Sequence, residues 1–418
     1  MSTQPTGANW GFTTRCVHSD RLGDIEHGGI HKPLHLSVQY GYESASELVK
    51  VFQGEAAGFN YARQGTPTVA ALEANVTAME DGRASLCFAT GMAAITAIFT
   101  TLLKAGDHLV CSRFIFGNTN SLLGTLQGLG IAVTFADATE AANVEAAITP
   151  ATRMVFVETI ANPRTQVADL EGIGALCKQR GLLYVVDNTV SSPWAFRPKS
   201  VGASLVVNSL TKSIGGHGNA LGGAITDTGL FDWSNYPGIF PAYRKGNPAG
   251  WGLAQLKKKG LRDQGASLSS EAAHHLSVGS ETLALRMAAS SASAQALAEF
   301  LAAHPKVRKV YYPGLPDHAQ HARAKKLFRA QSWLMAFELV DEDDCVAFID
   351  RLSLPIVATG LGDTRSLILP VAHTIFWEMG PERRAEMGIA DSLIRLSIGL
   401  EDSRDLIEDF GRALEAGA

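Results

Sequence analysis

The sequence lacks several features that would point away from an ordinary globular enzyme. Its five cysteines lie far apart and form no CxxC pair, which argues against a disulfide framework or a zinc site and favours reduced thiols. Charge of one sign is also scarce. The formal net charge of the 418 residues is −5, and the longest basic run is Lys257–Lys259. Neither nucleic acid nor an anionic membrane is therefore expected as a main partner.

An apolar leader and a convincing membrane span are missing as well. The first residues, MSTQPTGANWGFTTRCVHSD, contain no apolar core of the kind found in signal peptides. Residues 84–103 carry no charge over 20 residues, which is long enough to cross a bilayer. However, Ser85, Thr90 and Gly91 interrupt this stretch, which reads better as a short strand, a glycine turn and a helix. We predict a cytoplasmic protein.

Short apolar runs recur at intervals of 20–30 residues, with helix-like segments such as 68–80 between or before them. The runs are LVCS (109–112), IAVTFA (131–136), MVFVET (154–159), LLYVVDN (182–188) and SLVVNS (204–209). Such spacing predicts a mainly parallel sheet that is buried on both faces within an α/β layered domain.

The chain divides into three predicted parts. Residues 1–60 are polar and irregular and are expected to form an arm, and residues 61–270 form the large α/β domain. Beyond Ser280 a helical stretch precedes KVRKVYYPG, WLMAFELV and LIRLSIGL, which predicts a smaller C-terminal α+β domain over 271–418.

Residues suited to chemistry follow the predicted strands. Asp187 closes LLYVVDN, Lys212 follows SLVVNSLT, and Gly91 and Met92 open a helix after ASLCFAT. Ligands of open α/β sheets collect at the carboxyl ends of the strands. Each residue alone is more often a cap, a solvated lysine or a packing residue. Together they supply an amine for an aldehyde, an acid for a pyridine nitrogen and a helix N-terminus for a phosphate, which fits pyridoxal 5′-phosphate (PLP).

Two other kinds of site are disfavoured. The segment GGHGNALGG does not have GxGxxG spacing and lies late in the predicted sheet, so it is a poor dinucleotide loop. HAQH (318–321) offers two histidines without an evident third ligand, so no metal site is predicted.

Several ordered motifs resemble the Cys/Met metabolism (trans-sulfuration) enzymes, and the resemblance extends over nearly the whole chain from about residue 13. It rests mainly on NSLTKSIGGHGNALGG, which resembles the cofactor-lysine segment of that family. The supporting motifs are YARQGTPT (61–68), ATGMAAI (89–95), ETIANP (158–163), VVDNTVSSP (185–193), ETLALRM (281–287) and LIRLSIGLED (393–402). The resemblance implies the type I PLP-dependent transferase fold.

The resemblance also implies roles around the cofactor ring. Lys212 would hold PLP as a Schiff base and then move protons, and Asp187 would pair with the pyridinium nitrogen. Asn162 would contact the ring hydroxyl. The family usually has a tyrosine stacked on the ring, and this chain has Phe116 at that position.

Further roles concern the phosphate and the substrate. The resemblance implies that the cofactor phosphate is held by Gly91, Met92, Ser209 and Thr211. Tyr61 and Arg63 would reach the phosphate of a neighbouring subunit, which implies at least a dimer with shared active sites and points to a homotetramer. Arg395 would bind the α-carboxylate of an amino-acid substrate, a role suited to a planar bidentate donor.

Two segments point to one branch of the family. LKKKGLRDQGASLSS (256–270) and SLTKSIGGHG resemble O-acetylhomoserine sulfhydrylases. The implied reaction, which belongs to methionine biosynthesis, is γ-replacement on O-acetyl-L-homoserine by sulfide or a small thiol. The alternatives are an O-succinylhomoserine sulfhydrylase, a cystathionine γ-synthase and a γ-lyase of sulfur amino acids.

Three departures from the family pattern bear on this choice. Phe116 offers no hydroxyl for proton transfer. The family's HPASTTH reads PVAHTIF within GLGDTRSLILPVAHTIF (360–376), which predicts either an altered substrate side, with added bulk from Phe376 and Trp377, or drift in a packing segment. Thr66 replaces the usual asparagine of the YxRxxNPT motif, a change expected to matter little for the chemistry.

Overall fold

The computed structural model describes residues 10–21, 25–340 and 345–416; the first nine residues of the predicted arm lie outside these ranges. The strands are β1 (Ala84–Phe88), β2 (His108–Ser112), β3 (Ala132–Ala136), β4 (Thr152–Glu158), β5 (Leu183–Asp187), β6 (Leu205–Asn208), β7 (Gly223–Asp227), β8 (Val307–Tyr311), β9 (Leu334–Leu339), β10 (Ile356–Val357), β11 (Leu367–Pro370) and β12 (Leu393–Ser397). The α-helices are α1 (Phe12–His18), α2 (Ala45–Gln53), α3 (Pro67–Met79), α4 (Gly91–Leu102), α5 (Gly117–Gly128), α6 (Ala141–Ala146), α7 (Leu170–Arg180), α8 (Ser192–Ala195), α9 (Trp251–Gln255), α10 (Ser270–Glu281), α11 (Leu283–Ala303), α12 (His321–Leu327), α13 (Cys345–Arg351), α14 (Gly380–Glu386) and α15 (Ser403–Glu415).

The large sheet has the strand order β1-β7-β6-β5-β4-β2-β3. Strands β2 to β6 pair in parallel, and β7 runs antiparallel to both β1 and β6. Each of the five apolar runs singled out from the sequence overlaps one of the parallel strands. The prediction of a large domain built on a mainly parallel sheet is therefore confirmed.

Both faces of this sheet are buried, as its apolar strands require. In β4, Val155 and Val157 belong to one hydrophobic cluster, while Met154 and Phe156 belong to the cluster on the opposite face. Because successive side chains of a strand point to opposite faces, a strand covered on both sides must be apolar throughout. This explains why the runs are continuous rather than alternating.

A second sheet forms the smaller C-terminal domain, with the order β10-β11-β12-β9-β8. Its strands pair antiparallel except for β10 with β11. One face packs against α11, α13 and α15 through a cluster that includes Leu297, Phe337, Phe348 and Phe410. The predicted C-terminal strands are confirmed in β8, β9 and β12.

The uncharged stretch 84–103 folds as predicted into a strand, a turn and a helix, namely β1 and α4. Within the described parts of the chain, no helix combines the length and apolar character needed to cross a membrane. Two helices occur where the sequence predicted irregular structure. Cys16 of α1 is buried in the core, whereas α2 contributes no buried residue.

Candidate active site

One cavity of about 740 Å³ lies at the carboxyl ends of β4, β5 and β6. Strand β1 runs antiparallel to β7, which runs antiparallel to β6, so the start of α4 reaches the same edge. The cavity brings together Gly91, Met92, Phe116, Asn162, Asp187, Ser209, Thr211, Lys212 and Arg395. Residues predicted from the sequence thus converge from both domains on one site.

One end of the cavity is formed by the N-terminus of α4. Thr90 caps this helix by accepting a hydrogen bond from the Ala93 N–H at 2.9 Å, and Thr90, Gly91 and Met92 at the helix start line the cavity. Glycine is needed at position 91, because a Cβ there would lie 2.9 Å from the Cβ of Ser209. The close approach places a helix N-terminus beside a serine hydroxyl, an arrangement suited to an anion. The Thr211 hydroxyl, also in the cavity wall, accepts from the Gly222 N–H at 3.0 Å.

Lys212 lies on a loop that a buried arginine holds in place. Arg286, 8% exposed, donates to the backbone carbonyls of Ser213 at 2.6 Å and Ile214 at 3.1 Å. Burial of the Lys212 amine, and secondarily the charge of Arg395, lowers the pKa of Lys212 from its ordinary value. A lowered pKa increases the fraction of neutral amine that can attack a carbonyl.

Two carboxyl groups lie side by side on the cavity floor. Glu158 ends β4 and Asp187 ends β5, and the two residues are register partners across the parallel pair. Asp187 Oδ1 accepts from the Thr189 N–H at 2.9 Å, yet burial raises the pKa of Asp187. The pKa of Glu158 is raised well above its usual range by burial and then by the charge of Asp187. Such a pair suits a cationic ligand, which would favour the ionised form of Asp187.

Asn162 and Phe116 complete the wall around these carboxyl groups. Asn162 is 7% exposed, and its Oδ1 has no hydrogen-bond partner within the described ranges. Phe116 immediately precedes α5 and is 38% exposed, with its ring in the lining of the cavity. An unpaired buried amide oxygen is costly unless a ligand or water satisfies it.

Arg395 supplies a buried positive charge from the C-terminal domain. It lies in β12, is 1% exposed, and donates from Nη2 to the carbonyls of Thr359 at 2.9 Å and Gly360 at 2.8 Å. Burial lowers its pKa to about 10, and its Nε has no partner among the described residues. A guanidinium that keeps donor capacity inside a cavity is suited to a carboxylate.

Tyr61 and Arg63 are the predicted site residues that do not line this cavity. Arg63 donates to the backbone carbonyl of Arg262 at 2.8 Å and lies 5.3 Å from the centre of the Tyr61 ring. Tyr61 is 40% exposed. This position agrees with the expectation that the two residues act on another subunit, which a single chain does not test.

The segment that departs from the family pattern forms the outer wall of the cavity. His373, Thr374, Ile375, Phe376, Trp377 and Glu378 all line it. Phe376 is 2% exposed and packs in a hydrophobic cluster with Leu369 and Leu393, whereas Trp377 is 63% exposed. The segment therefore contributes both packing and the cavity mouth. Thr66, the third departure, caps α3 by accepting from the Val69 N–H at 3.2 Å.

The sequence prediction assigned no role to Glu158, Arg286 or His373, which are among the residues in or beside the site that it did not identify. Glu158 had a detectable signal, since it follows an apolar run just as Asp187 does. Arg286 and His373 gave none: the first acts on a loop 72 and 73 residues away, and the second lies in an unfamiliar segment.

The donor set fits PLP in this site. The buried amine, the paired carboxyl groups, the unpaired Asn162 oxygen and the N-terminus of α4 match the cofactor's aldehyde, ring nitrogen, ring hydroxyl and phosphate respectively. Fold and site together define a PLP-dependent enzyme of the type I fold.

The comparison with known proteins gives the family directly. The model of the Cys/Met metabolism PLP-dependent enzymes matches residues 13–415, and the chain belongs to that family. Its relatives include an L-methionine γ-lyase of Pseudomonas deceptionensis, 36% identical over 98% of both chains, and an O-acetyl-L-homoserine sulfhydrylase of Corynebacterium glutamicum, 34% identical over 96% of both.

A solved structure is similar in fold over almost the whole chain. The Campylobacter jejuni protein described as an O-acetylhomoserine (thiol)-lyase superposes with a TM-score of 0.92 at 31% identity, covering 97% of this chain and all of that one. It carries N′-pyridoxyl-lysine-5′-monophosphate. The trans-sulfuration family, the fold and the PLP cofactor are thereby established for this chain.

Proposed function

We propose that this enzyme catalyses γ-replacement on O-acylhomoserine, with O-acetyl-L-homoserine and sulfide or a small thiol as substrates. The products would be homocysteine or a thioether, plus acetate. The observation that carries this proposal is Phe116, which lines the cavity without offering a hydroxyl. Identities of 36% to a γ-lyase and 34% to a sulfhydrylase differ too little to decide between the two reactions.

The leaving group explains why Phe116 matters. A departing carboxylate has a conjugate acid with a pKa of about 4, whereas that of a thiol is about 8.5. The thiolate therefore needs a proton donor more than the carboxylate does. A cavity whose aromatic residue cannot donate a proton favours release of an acyl group over cleavage of a thioether.

The proposed roles of the cavity residues follow from their chemistry. When bound, PLP would act as an electron sink for negative charge developing on the substrate. Lys212 would hold the cofactor aldehyde and then move protons on the substrate, while Asp187 would keep the ring nitrogen protonated. Asn162 would bind the ring hydroxyl, and Arg395 would orient the substrate through its α-carboxylate.

The remaining cofactor contacts are proposed in the same way. The Gly91 and Met92 N–H groups with the hydroxyls of Ser209 and Thr211 would hold the phosphate, and the Phe116 ring would stack on the pyridine. These groups all line one cavity, which supports a common cofactor site.

We also propose a dimer with shared active sites, or a homotetramer built from two such dimers. Tyr61 and Arg63 lie outside the cavity of their own chain, where they would be free to serve a partner. Apolar side chains on residues 30–52 support this, since Ile30 is 80% and Phe52 67% exposed. Exposed apolar patches of this kind are typical of protein interfaces.

A second candidate is γ-elimination of a sulfur amino acid. His373 lines the cavity and could supply the proton that Phe116 cannot, and the similarity to a methionine γ-lyase is of the same order as that to a sulfhydrylase. An O-succinylhomoserine sulfhydrylase or a cystathionine γ-synthase would differ only in acyl group or nucleophile.

Incubation with O-acetyl-L-homoserine, with and without sulfide, tests the proposal. We expect homocysteine at about 1 per second or more in the presence of sulfide, as is typical of metabolic enzymes. Quantifying homocysteine and 2-oxobutanoate separates replacement from elimination. Dominant 2-oxobutanoate even with sulfide would instead establish the elimination reaction. If neither product forms, the same assay with O-succinyl-L-homoserine tests the other acyl group.

Phe116→Tyr is expected to raise γ-elimination from L-methionine or cystathionine by about 100-fold, the lower end of the range that a correctly placed general acid contributes. Activity on O-acetyl-L-homoserine should change much less, since acetate needs no such donor. Initial rates of 2-oxobutanoate formation on both substrate types measure the difference. Phe114→Tyr, which adds a hydroxyl two residues away at a side chain outside the cavity lining, is the control. Equal thioether cleavage by wild type and Phe116→Tyr would contradict the leaving-group argument.

A further inference from the structure

Glu158 is the partner of Asp187 in the carboxyl pair, and it has no separate role among those proposed above. It is the last residue of β4, is 8% exposed, and lines the cavity beside Asp187. A buried carboxyl group in a cavity is costly unless it is used, because burial removes it from water.

A hydrogen bond of Glu158 connects the end of β4 to a separate part of the cavity wall. Its Oε1 accepts from the Phe116 backbone N–H at 2.6 Å, 42 residues away in sequence. The backbone N–H groups of Phe116 and Asn162 both counteract the rise in the pKa of Glu158. Phe116 and Asn162 are the two residues proposed to contact the ring face and the ring hydroxyl.

The position of Glu158 makes it a rigid reference point. Strand β4 lies between β2 and β5 inside a sheet that is covered on both faces, so its end is fixed by the packing of the domain. Phe116 is the residue before α5, and its side chain does not cap that helix. The hydrogen bond from its N–H to Glu158 therefore connects the loop before α5 to the sheet.

We propose that Glu158 is a positioning residue for the cofactor: its carboxyl group fixes the backbone at Phe116 and thereby sets the tilt of the pyridine ring. This inference rests on PLP binding but not on the identity of the substrate. It concerns the acceptor geometry of Glu158 and not its charge, since Asp187 already provides the negative charge that a ring nitrogen requires.

The neighbouring carboxyl group supports this division of roles. Burial and then the charge of Asp187 raise the pKa of Glu158 well above its usual range, which favours the neutral form of Glu158. A neutral carboxyl group still accepts a backbone hydrogen bond through its carbonyl oxygen. Glutamine, which has the same length and an amide oxygen, should therefore replace it.

The test compares Glu158→Gln with Glu158→Asp and Glu158→Ala in the PLP-loaded enzyme. The readouts are the visible circular dichroism of the bound cofactor, which reports ring orientation, the Kd for PLP from titration of the cofactor-free protein, and kcat and KM. We expect Glu158→Gln to stay within about threefold of wild type. Glu158→Asp and Glu158→Ala should alter the dichroism, weaken PLP binding, and lower kcat by about 100-fold, as displacements near 1 Å can.

A matched control separates positioning from general loss of a buried carboxyl group. Glu73 is half-buried and accepts from the Cys87 N–H at 2.9 Å outside the cavity, so Glu73→Ala should leave the cofactor dichroism unchanged even where thermal stability falls. If Glu158→Ala does not fold, Glu158→Asp still tests the proposal, because its shorter side chain moves the carboxyl acceptor away from the Phe116 N–H. Unchanged dichroism in both shortened variants, or equal damage in Glu158→Gln and Glu158→Asp, would overturn the proposal. Because the dichroism needs no substrate, this result is independent of the γ-replacement assay.

Discussion

Lys212→Ala is expected to lose turnover by about 10³-fold or more and to lose the visible absorbance of lysine-bound PLP. Lys212 is the amine that lies in the cavity on a loop held by Arg286, and its lowered pKa favours the neutral form that attacks an aldehyde. Rates on the substrate that wild type uses, together with absorbance spectra, measure both losses. Borohydride reduction and mass spectrometry of the wild type should place the cofactor on the peptide containing residue 212.

Lys199→Ala is the matched control for this experiment. Lys199 donates to the Asp81 carbonyl at 2.8 Å and does not line the cavity, so its removal should leave both the absorbance and the rate close to wild type. Reduced cofactor found on another lysine of the wild type, or a Lys212→Ala protein that keeps wild-type turnover, would contradict the assignment of Lys212.

The sequence predicted the parallel strands well because β2, β4, β5 and β6 are buried on both faces, while the edge strand β3 is partly exposed. A run such as MVFVET must be apolar throughout to fill both sides of β4, and few other local structures demand this. Strand β7 escaped prediction because Gly223–Asp227 follows a glycine-rich stretch and includes only a short apolar run. Its antiparallel pairing with β1 and β6 depends on contacts distant in sequence, which local patterns do not encode.

The part of the candidate site that lies at strand ends or in the sequence motifs could be predicted. Asp187 and Lys212 follow apolar runs, and parallel strands end at the same edge, so their convergence in one cavity was expected. The support of the Lys212 loop by Arg286 could not be predicted, because the sequence around an arginine in a helix does not indicate which distant carbonyl groups its side chain will contact. Likewise, Gly91 could be placed at a helix start, but only the structure reveals that Ser209 leaves no room for a Cβ there.

The outer wall illustrates a different limit. The change from HPASTTH to PVAHTIF predicted either an altered substrate side or drift in a packing segment, and the structure supports part of each. Phe376 is buried in a cluster with Leu369, as a packing residue would be, while His373 and Trp377 line the cavity. A single sequence could not separate these neighbours, because the direction of each side chain depends on how residues 371–379 turn after β11.

Asp187→Asn is expected to lower kcat by about 10²–10³-fold and, at the same time, to stabilise the cofactor-free protein at neutral pH. The loss of activity follows because asparagine cannot keep the ring nitrogen protonated, and removing one preorganised electrostatic partner typically costs that much. The gain in stability follows from the pKa. Burial raises the pKa of Asp187 in the folded protein above its unfolded value of about 4, so its contribution to stability falls as the pH rises through this interval.

At neutral pH the ionised Asp187 therefore lowers the stability of the cofactor-free wild type. Asparagine avoids this loss, because its side chain has nearly the same shape and does not ionise. Thermal unfolding of the cofactor-free proteins at pH 5 and pH 8 should show a larger advantage of Asp187→Asn at the higher pH. Asp187→Glu, which keeps the charge but lengthens the side chain, should lose activity without gaining that stability. Wild-type turnover in Asp187→Asn would contradict the proposed pairing with the ring nitrogen. If cofactor-free Asp187→Asn had a lower free energy of unfolding than the wild type at pH 8, this would instead contradict the inference that the ionised Asp187 carboxylate destabilises the cofactor-free protein.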